Sequence, residues 1–254
     1  MSSGTVVDPS ATTRTFLKRC VLAIMTKAPR AGEVKTRLVP PLTPAEAAEL
    51  NRCFLRDLAR SISRACLESG ARGGAVYTPA EAGPTYEGIL PSDFLLLPQR
   101  GGKFGERLFF AAEDLFRCGF ESVCLINSDS PTVPAACFAE AANALAKRGD
   151  RIAIGPSDDG GYYLIGLKQL HRRMFEEIDW STDRVFVQAV ERAAEIGVGI
   201  KLLPRGYDVD DPAALRRLCA ELLRRSPNVS VAPATQKFLS DLIEREGSTR
   251  ICPV

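Results

Sequence analysis

Val123-Cys124-Leu125-Ile126-Asn127-Ser128-Asp129-Ser130-Pro131 is the stretch on which the fold class turns. Its first four residues are apolar without interruption, as expected of a strand buried on both faces, and the turn that follows places a carboxylate at the strand's tip. Similar short runs bounded by turn residues occur at 21–25, 74–77, 94–97 and 152–154. Helical patterns lie between them. Residues 44–67 open with Thr43 as N-cap and Pro44 in the first turn, then place Ala47, Leu50, Phe54, Leu58 and Ile62 on one face. Residues 104–116 stop at Gly119, and 182–196 lie between Ser181 as the expected cap and Gly197. Further helices are expected at 213–224, after Asp211-Pro212, and at 235–246. Strand alternating with helix implies an α/β fold: a single-domain, mostly parallel (mixed) sheet with helices on both faces.

At 254 residues the chain suits one large core. The expected divisions are a disordered tail at 1–17, the α/β domain at 18–225 and a C-terminal extension with one helix at 226–254, the Pro-containing stretch 226–233 serving as linker. Lys and Arg total 33 against 31 Asp and Glu, a net charge of +2 that provides no global field for nucleic acid or an anionic membrane. Binding of phosphate must therefore be local. The eight cysteines show no zinc-site spacing and fall mostly inside apolar patterns, so buried, reduced thiols in a cytoplasmic protein are expected. A single histidine, His171, in a polar turn and expected to be exposed, argues against a Ser-His-Asp triad. No run reaches the roughly 20 apolar residues a membrane span requires.

Three acidic loops and three further segments carry candidate chemistry. Acidic Asn127 to Pro131 is matched far downstream by Tyr207-Asp208-Val209-Asp210-Asp211-Pro212, which follows the apolar run 200–203. Folding could bring both clusters to one Mg2+ or Mn2+, since hard divalent cations take oxygen ligands. The plain alternatives are a turn aspartate before proline and an Asp-Pro helix start, which leaves Asp208 and Asp210 without a role. Between the clusters lies Ser157-Asp158-Asp159-Gly160-Gly161-Tyr162-Tyr163, whose glycines permit close backbone approach or simply a hairpin turn. After the first core strand come Lys27, Arg30, Lys35 and Arg37 with Gly32, a loop suited to a diphosphate or merely solvated. It is neither a Walker A loop nor a Gly-x-Gly-x-x-Gly turn. Gly101-Gly102-Lys103-Phe104-Gly105-Glu106-Arg107 could present backbone donors to a base or phosphate, and Trp180-Ser181-Thr182 most simply supplies a cap and a packed aromatic.

Taken in order, Lys27-Ala28-Pro29 with Gly32, Lys35-Thr36-Arg37-Leu38, Gly105-Glu106-Arg107-Leu108, Ser128-Asp129-Ser130-Pro131, Asp158-Asp159-Gly160-Gly161-Tyr162, Trp180-Ser181-Thr182 and Asp208-Val209-Asp210 resemble a known family. It is that of the GT-A-like nucleotide-diphospho-sugar transferases, near the arsenosugar-biosynthesis glycosyltransferases and related to the 2-phospho-L-lactate and molybdenum-cofactor guanylyltransferases. The resemblance runs from about Val21 to Leu218; Asn127 stands where glycine is expected and Asp211 where threonine is common. It implies a metal-dependent transferase. Lys27, Lys35, Arg37, Gly102 and Glu106 would bind the nucleotide. Asp129 and Asp210, with Asp208 as a third candidate, would hold the cation. Asp158, Asp159, Gly160, Gly161 and Trp180 would line the sugar or acceptor pocket, with Lys27, Asp129 and Asp158 as the catalytic set.

Two activities follow from these expectations. In the first, a glycosyltransferase moves a sugar from a nucleotide-diphosphate donor to a small acceptor; in the second, a nucleotidyltransferase joins a nucleoside monophosphate to a phosphorylated molecule and releases pyrophosphate. The second must hold a triphosphate and should need more cations around 27–37; the first loop lacks the Gly-rich, Arg-containing signature usual in sugar-nucleotide pyrophosphorylases, which favours the first. A non-catalytic nucleotide-binding protein is the third reading. The expected partners are a nucleotide or nucleotide-sugar donor and a small acceptor, with no nucleic acid and no membrane, in a monomer or homodimer.

Overall fold

The computed structural model describes residues 5–6, 20–224 and 231–251. In chain order the elements are β1 (Thr5–Val6), β2 (Cys20–Lys27), α1 (Pro44–Ser69), β3 (Arg72–Thr78), β4 (Leu95–Pro98), α2 (Phe104–Arg117), β5 (Ser122–Ile126), α3 (Ala135–Ala146), β6 (Arg151–Pro156), β7 (Tyr162–Leu167), α4 (Val185–Glu195), β8 (Gly199–Leu202), α5 (Pro212–Leu222), α6 (Pro233–Glu246) and α7 (Ser248–Ile251). The strands form one sheet in the order β1-β4-β3-β2-β5-β7-β6-β8. All neighbours are parallel except β7, which runs antiparallel to both β5 and β6.

The strand order fixes where a ligand can lie. From β2 the chain winds outward through β3 and β4, then returns to pair β5 with the other side of β2, in register from Cys20↔Ser122 to Ile24↔Ile126. Loops leaving β2 and β5 diverge at that switch, opening a crevice at the carboxyl ends of the two strands. β5 is buried along its whole length, as its unbroken apolar run requires. One apolar layer packs α1 and α3 against the sheet, and another packs α2 and α4 on the opposite face. A third cluster joins Leu38, Leu50 and Phe54 to Tyr207, Val209, Leu218 and Leu239, tying the loop after β2 to the segment after β8.

Helix chemistry follows the sequence at most ends. Thr43 caps α1 in a reciprocal box with Glu46, and Gly70 ends it in the left-handed conformation at φ 69°. The start of α4 differs from expectation. It begins at Val185, because Ser181 adopts a positive φ of 66° and Thr182 holds a turn by donating to the Asp179 carbonyl at 2.7 Å. The periodicity reading passed over α3, an alanine-rich helix lacking a contrasting polar face, and β7, which follows its turn without a break.

Other expectations are modified. Thr5–Val6 pairs with Leu95–Leu96, so part of the expected N-terminal tail is a strand; its remaining residues lie outside the described ones. Of the expected linker, 226–230 lie outside them as well. Among its described residues the C-terminal segment holds two helices and packs into the core through Leu239, Leu242 and Ile251. Of the seven cysteines among the described residues, all but Cys66 are buried. No described helix is long and apolar enough to cross a membrane.

Asp57 of α1 secures that C-terminal docking. Its buried carboxylate accepts from the backbone N–H groups of Ala234 (2.9 Å) and Thr235 (2.8 Å), capping α6 from another helix. Burial pushes its carboxyl above the usual range despite these bonds. Asp57→Ala strands two donors at a helix terminus and should cost about 2–3 kcal/mol, lowering the melting temperature by several degrees. Asp241→Ala, which removes only the exposed pair with Lys237, should stay within about 0.5 kcal/mol in the same melts.

Candidate active site at the carboxyl edge of the sheet

Lys35 stands at the centre of the crevice. Its backbone sits in the left-handed region at φ 49°, a conformation uncommon for a residue with a side chain, and its side chain is 4% exposed. Nζ lies 2.5 Å from Asp129 Oδ1, 2.8 Å from Asp210 Oδ1 and 2.8 Å from the Val209 carbonyl, over the Phe54 ring at 5.3 Å. Burial alone would lower the lysine's pKa, but the two carboxylates outweigh it and hold the group above its ordinary value. The two distant acidic clusters therefore meet around one cation, and that cation is the protein's own.

Asp208 is held differently. Asn127 Nδ2 donates to its Oδ1 at 2.8 Å and the Ser130 hydroxyl donates to the same oxygen, while Val209 N donates to the Asp129 carbonyl at 2.9 Å. The turn after β5 and the segment after β8 are thus stitched together. Asn127, the departure from the family pattern, gains a role that glycine could not supply. Desolvation, reinforced by the charges of Asp129 and Asp159, pushes the Asp208 carboxyl up to about 6 even though both hydrogen bonds oppose the shift.

Two chambers adjoin at Arg37, Asp129, Ser181 and Asp210. The polar one, of about 370 Å³, is bounded by Lys27, Lys35, Thr36, Arg37, Asn51 and Ser128. Lys27 turns toward Glu33, with Nζ 3.3 Å from the carboxylate, whereas Arg37 is exposed and among the described residues makes no ion pair. The second chamber, of about 500 Å³, has apolar walls at Met25, Leu108, Leu125 and Ile165 and polar groups at Asp159, Asp183 and Asp208. Trp180 lines it, with its ring 5.1 Å from Phe104 and 6.4 Å from Tyr162, both edge-on. Gly105 permits this placement, because a Cβ there would lie 2.6 Å from the indole nitrogen.

The acidic hairpin between β6 and β7 presents Asp159 to the second chamber and turns Asp158 away. Asp158 pairs with Arg217 at 2.6 Å and lies 4.0 Å from Arg205, outside both chambers. Asp159 accepts from Gly161 N at 2.9 Å. Gly160, at φ 86°, lets the hairpin tip approach the start of α4 so closely that a Cβ would fall 2.1 Å from the Asp183 carbonyl; its own carbonyl accepts from Phe186 N at 2.8 Å.

Gly102 and Glu106 line neither chamber. Glu106 folds back onto the Gly102 and Lys103 N–H groups at 3.1 and 3.2 Å, so its carboxylate caps α2, and those bonds lower its pKa. His171 is not simply exposed: it is part-buried with Nε2 2.6 Å from Asp150 Oδ2, outside the crevice. Sequence reasoning missed the holding roles of Asn127 and Ser130, and Ser181 as a wall of both chambers. A polar residue beside each aspartate was the available signal for the first two.

The bacterial family described as "Uncharacterized protein conserved in bacteria (DUF2064)" matches residues 62–182. A crystal structure of a provisionally assigned nucleotide-diphospho-sugar transferase from Desulfovibrio desulfuricans G20 shares 30% identity over 89% of this chain and 97% of its own, with a TM-score of 0.76. The chain belongs to the nucleotide-diphospho-sugar transferase family. It is similar in fold alone to 4-diphosphocytidyl-2C-methyl-D-erythritol synthase from Anaerococcus prevotii DSM 20548 (14% identity, 82% of this chain and 97% of that one, TM-score 0.52). A CMP:2-keto-3-deoxy-manno-octonic acid synthetase complexed with CTP is likewise similar in fold (10% identity, 81% and 99%, TM-score 0.50). No functionally curated protein matches the sequence.

For this transferase, the donor set at the crevice fits a hard divalent cation only in company. Among the described residues no three candidate ligands are gathered to hold an ion unaided. Asp129 and Asp210 offer carboxylate oxygens at one point, and Mg2+ in particular is commonly held by one or two carboxylates with phosphate oxygens and water completing its shell.

The raised Asp208 pKa gives a signed prediction. Because the folded value exceeds the ordinary 3.8, ionising this group weakens the fold as pH rises from about 4 to about 6, and the deficit persists above. Asp208→Asn keeps the acceptor for Asn127 and Ser130 without the charge. In chelator-containing buffer it should be more stable than wild type by about 2–3 kcal/mol at pH 7.5 and equal to it near pH 4. Melts at both pH values check this; an equal gap at both would refute it.

Proposed function

We propose that the protein is a metal-dependent glycosyltransferase that uses a nucleotide-diphosphate sugar donor and a small acceptor. The observation that carries the reading is the meeting of a cationic chamber and a half-apolar chamber at Asp129 and Asp210, which gives a diphosphate one compartment and a sugar or acceptor ring the other. Asp129 and Asp210 would hold Mg2+ or Mn2+, sharing their oxygens with the Lys35 ammonium, and Asp208 is the further candidate. When bound, such an ion supplies neutralisation of the charge that builds on the departing diphosphate.

The chain's own groups do the rest. Lys27 and Arg37 neutralise and orient the phosphates, and Lys35 keeps positive charge between the two carboxylates so that the anionic ligand is not repelled. Asp159 sits where it could accept a proton or hydrogen bond from an acceptor hydroxyl, a role the hairpin denies to Asp158. Trp180 offers an aromatic wall to a ring.

The cation supply favours sugar transfer. Lys35 is committed to two carboxylates, Lys27 faces Glu33 and Arg30 lies 4.0 Å from Glu81, which suits a diphosphate better than a triphosphate. A nucleotidyltransferase is the second reading, favoured by a fold shared with the synthetase complexed with CTP.

Thermal-shift titration of nucleotide sugars and nucleoside triphosphates, with and without Mn2+, separates the two. At ~100 times its dissociation constant a ligand adds about 2.7 kcal/mol, which raises the melting point by about 5–10 °C. A Mn2+-dependent shift with at least one nucleotide sugar is expected in wild type and not in Asp129→Asn. Shifts with triphosphates alone would establish the second reading, and no shift with either class would overturn both.

A further inference from the structure

Asn51 lies on α1, 3% exposed, in the wall of the cationic chamber. Its Oδ1 is buried and among the described residues has no hydrogen-bond partner. An unsatisfied acceptor in a packed helix is costly, and most buried side-chain polar atoms find partners. The helix gives no reason for asparagine here: leucine or alanine would favour the helical backbone and suit the apolar neighbours Leu50 and Phe54. What the position does have is the chamber that also holds Lys27, Lys35 and Arg37.

The missing partner must be a donor. Phosphate oxygens only accept, so they satisfy the cations of this chamber and leave the amide carbonyl unmet. A hydroxyl can donate, and so can satisfy the Oδ1 that phosphate oxygens leave unmet. We propose that Asn51 is a ligand-binding residue that hydrogen-bonds a hydroxyl of the phosphorylated ligand held in the cationic chamber. This rests on the reading of that chamber as a nucleotide site and extends it: the cations recognise the phosphates, and Asn51 recognises the polyol attached to them. The hydroxyl belongs either to the ribose or to the transferred sugar.

Asn51→Leu and Asn51→Ala are tested against wild type by calorimetric titration with Mn2+ present. The probes are inorganic pyrophosphate, UDP, GDP, CDP and ADP, and the hexose conjugates UDP-glucose and GDP-mannose. Both variants should bind pyrophosphate as wild type does and bind the best nucleoside diphosphate about 10-fold more weakly if ribose is read. If the sugar is read, the nucleoside diphosphates bind unchanged and only the sugar conjugate weakens. Without ligand, Asn51→Leu should melt about 2–6 °C higher than wild type, since an unmet acceptor has been removed. A stability gain with undiminished binding of every probe overturns the inference and leaves the glycosyltransferase reading intact. Equal weakening of pyrophosphate also overturns it, because the amide then serves phosphate. Absence of all binding by wild type defeats both.

Discussion

A buried ammonium between two carboxylates is the constraint on which this structure depends. Lys35, Asp129 and Asp210 come from three segments remote in sequence, and the buried charge of Lys35 is compensated there by the two part-exposed carboxylates. Charge alone does not assemble them. Leu38, three residues after the lysine, and Val209, one before the aspartate, are fully buried in the same apolar cluster under α1, α5 and α6. Burying those two side chains brings their polar neighbours to the rim, so hydrophobic packing sets the distance and electrostatics sets the orientation.

The docked C-terminal helices therefore bear on the site. α6 is seated by Asp57 and completes the cluster that anchors Leu38 and Val209. On the opposite side, the second chamber depends on two glycines that allow close approach. Gly105 lets the Trp180 indole lie on α2, and Gly160 presses the acidic hairpin onto the start of α4. Each is a contact that any side chain would prevent, and together they shape the wall that faces Asp129.

The antiparallel strand β7 explains why this chamber is half apolar. Inserted between β5 and β6, it continues the buried surface of the sheet through Ile165 while delivering Asp159 at its near end. A sheet that stayed parallel would have needed a long crossover at that point. The short hairpin instead keeps the acidic turn beside the crevice at the β2/β5 switch, where parallel α/β sheets place their ligands.

Much of this was legible in the residues. Apolar runs with capped helices between them determine an α/β sheet, because burial on both faces removes the polar alternation that an exposed strand shows, and the acids and cations at strand ends mark the ligand edge. What the sequence could not determine is direction. Asp158 and Asp159 are adjacent and chemically alike, yet one is taken by Arg217 and the other faces the chamber. Glu106 stands in a glycine-bearing turn but bonds to its own helix end, and Asp208 is claimed by Asn127 and Ser130 while Asp210 goes to Lys35. Local propensity depends on neighbours in the chain and can be read from them. The partner of a charged side chain depends on which distant segment packing brings within hydrogen-bond reach, and only the tertiary structure decides that.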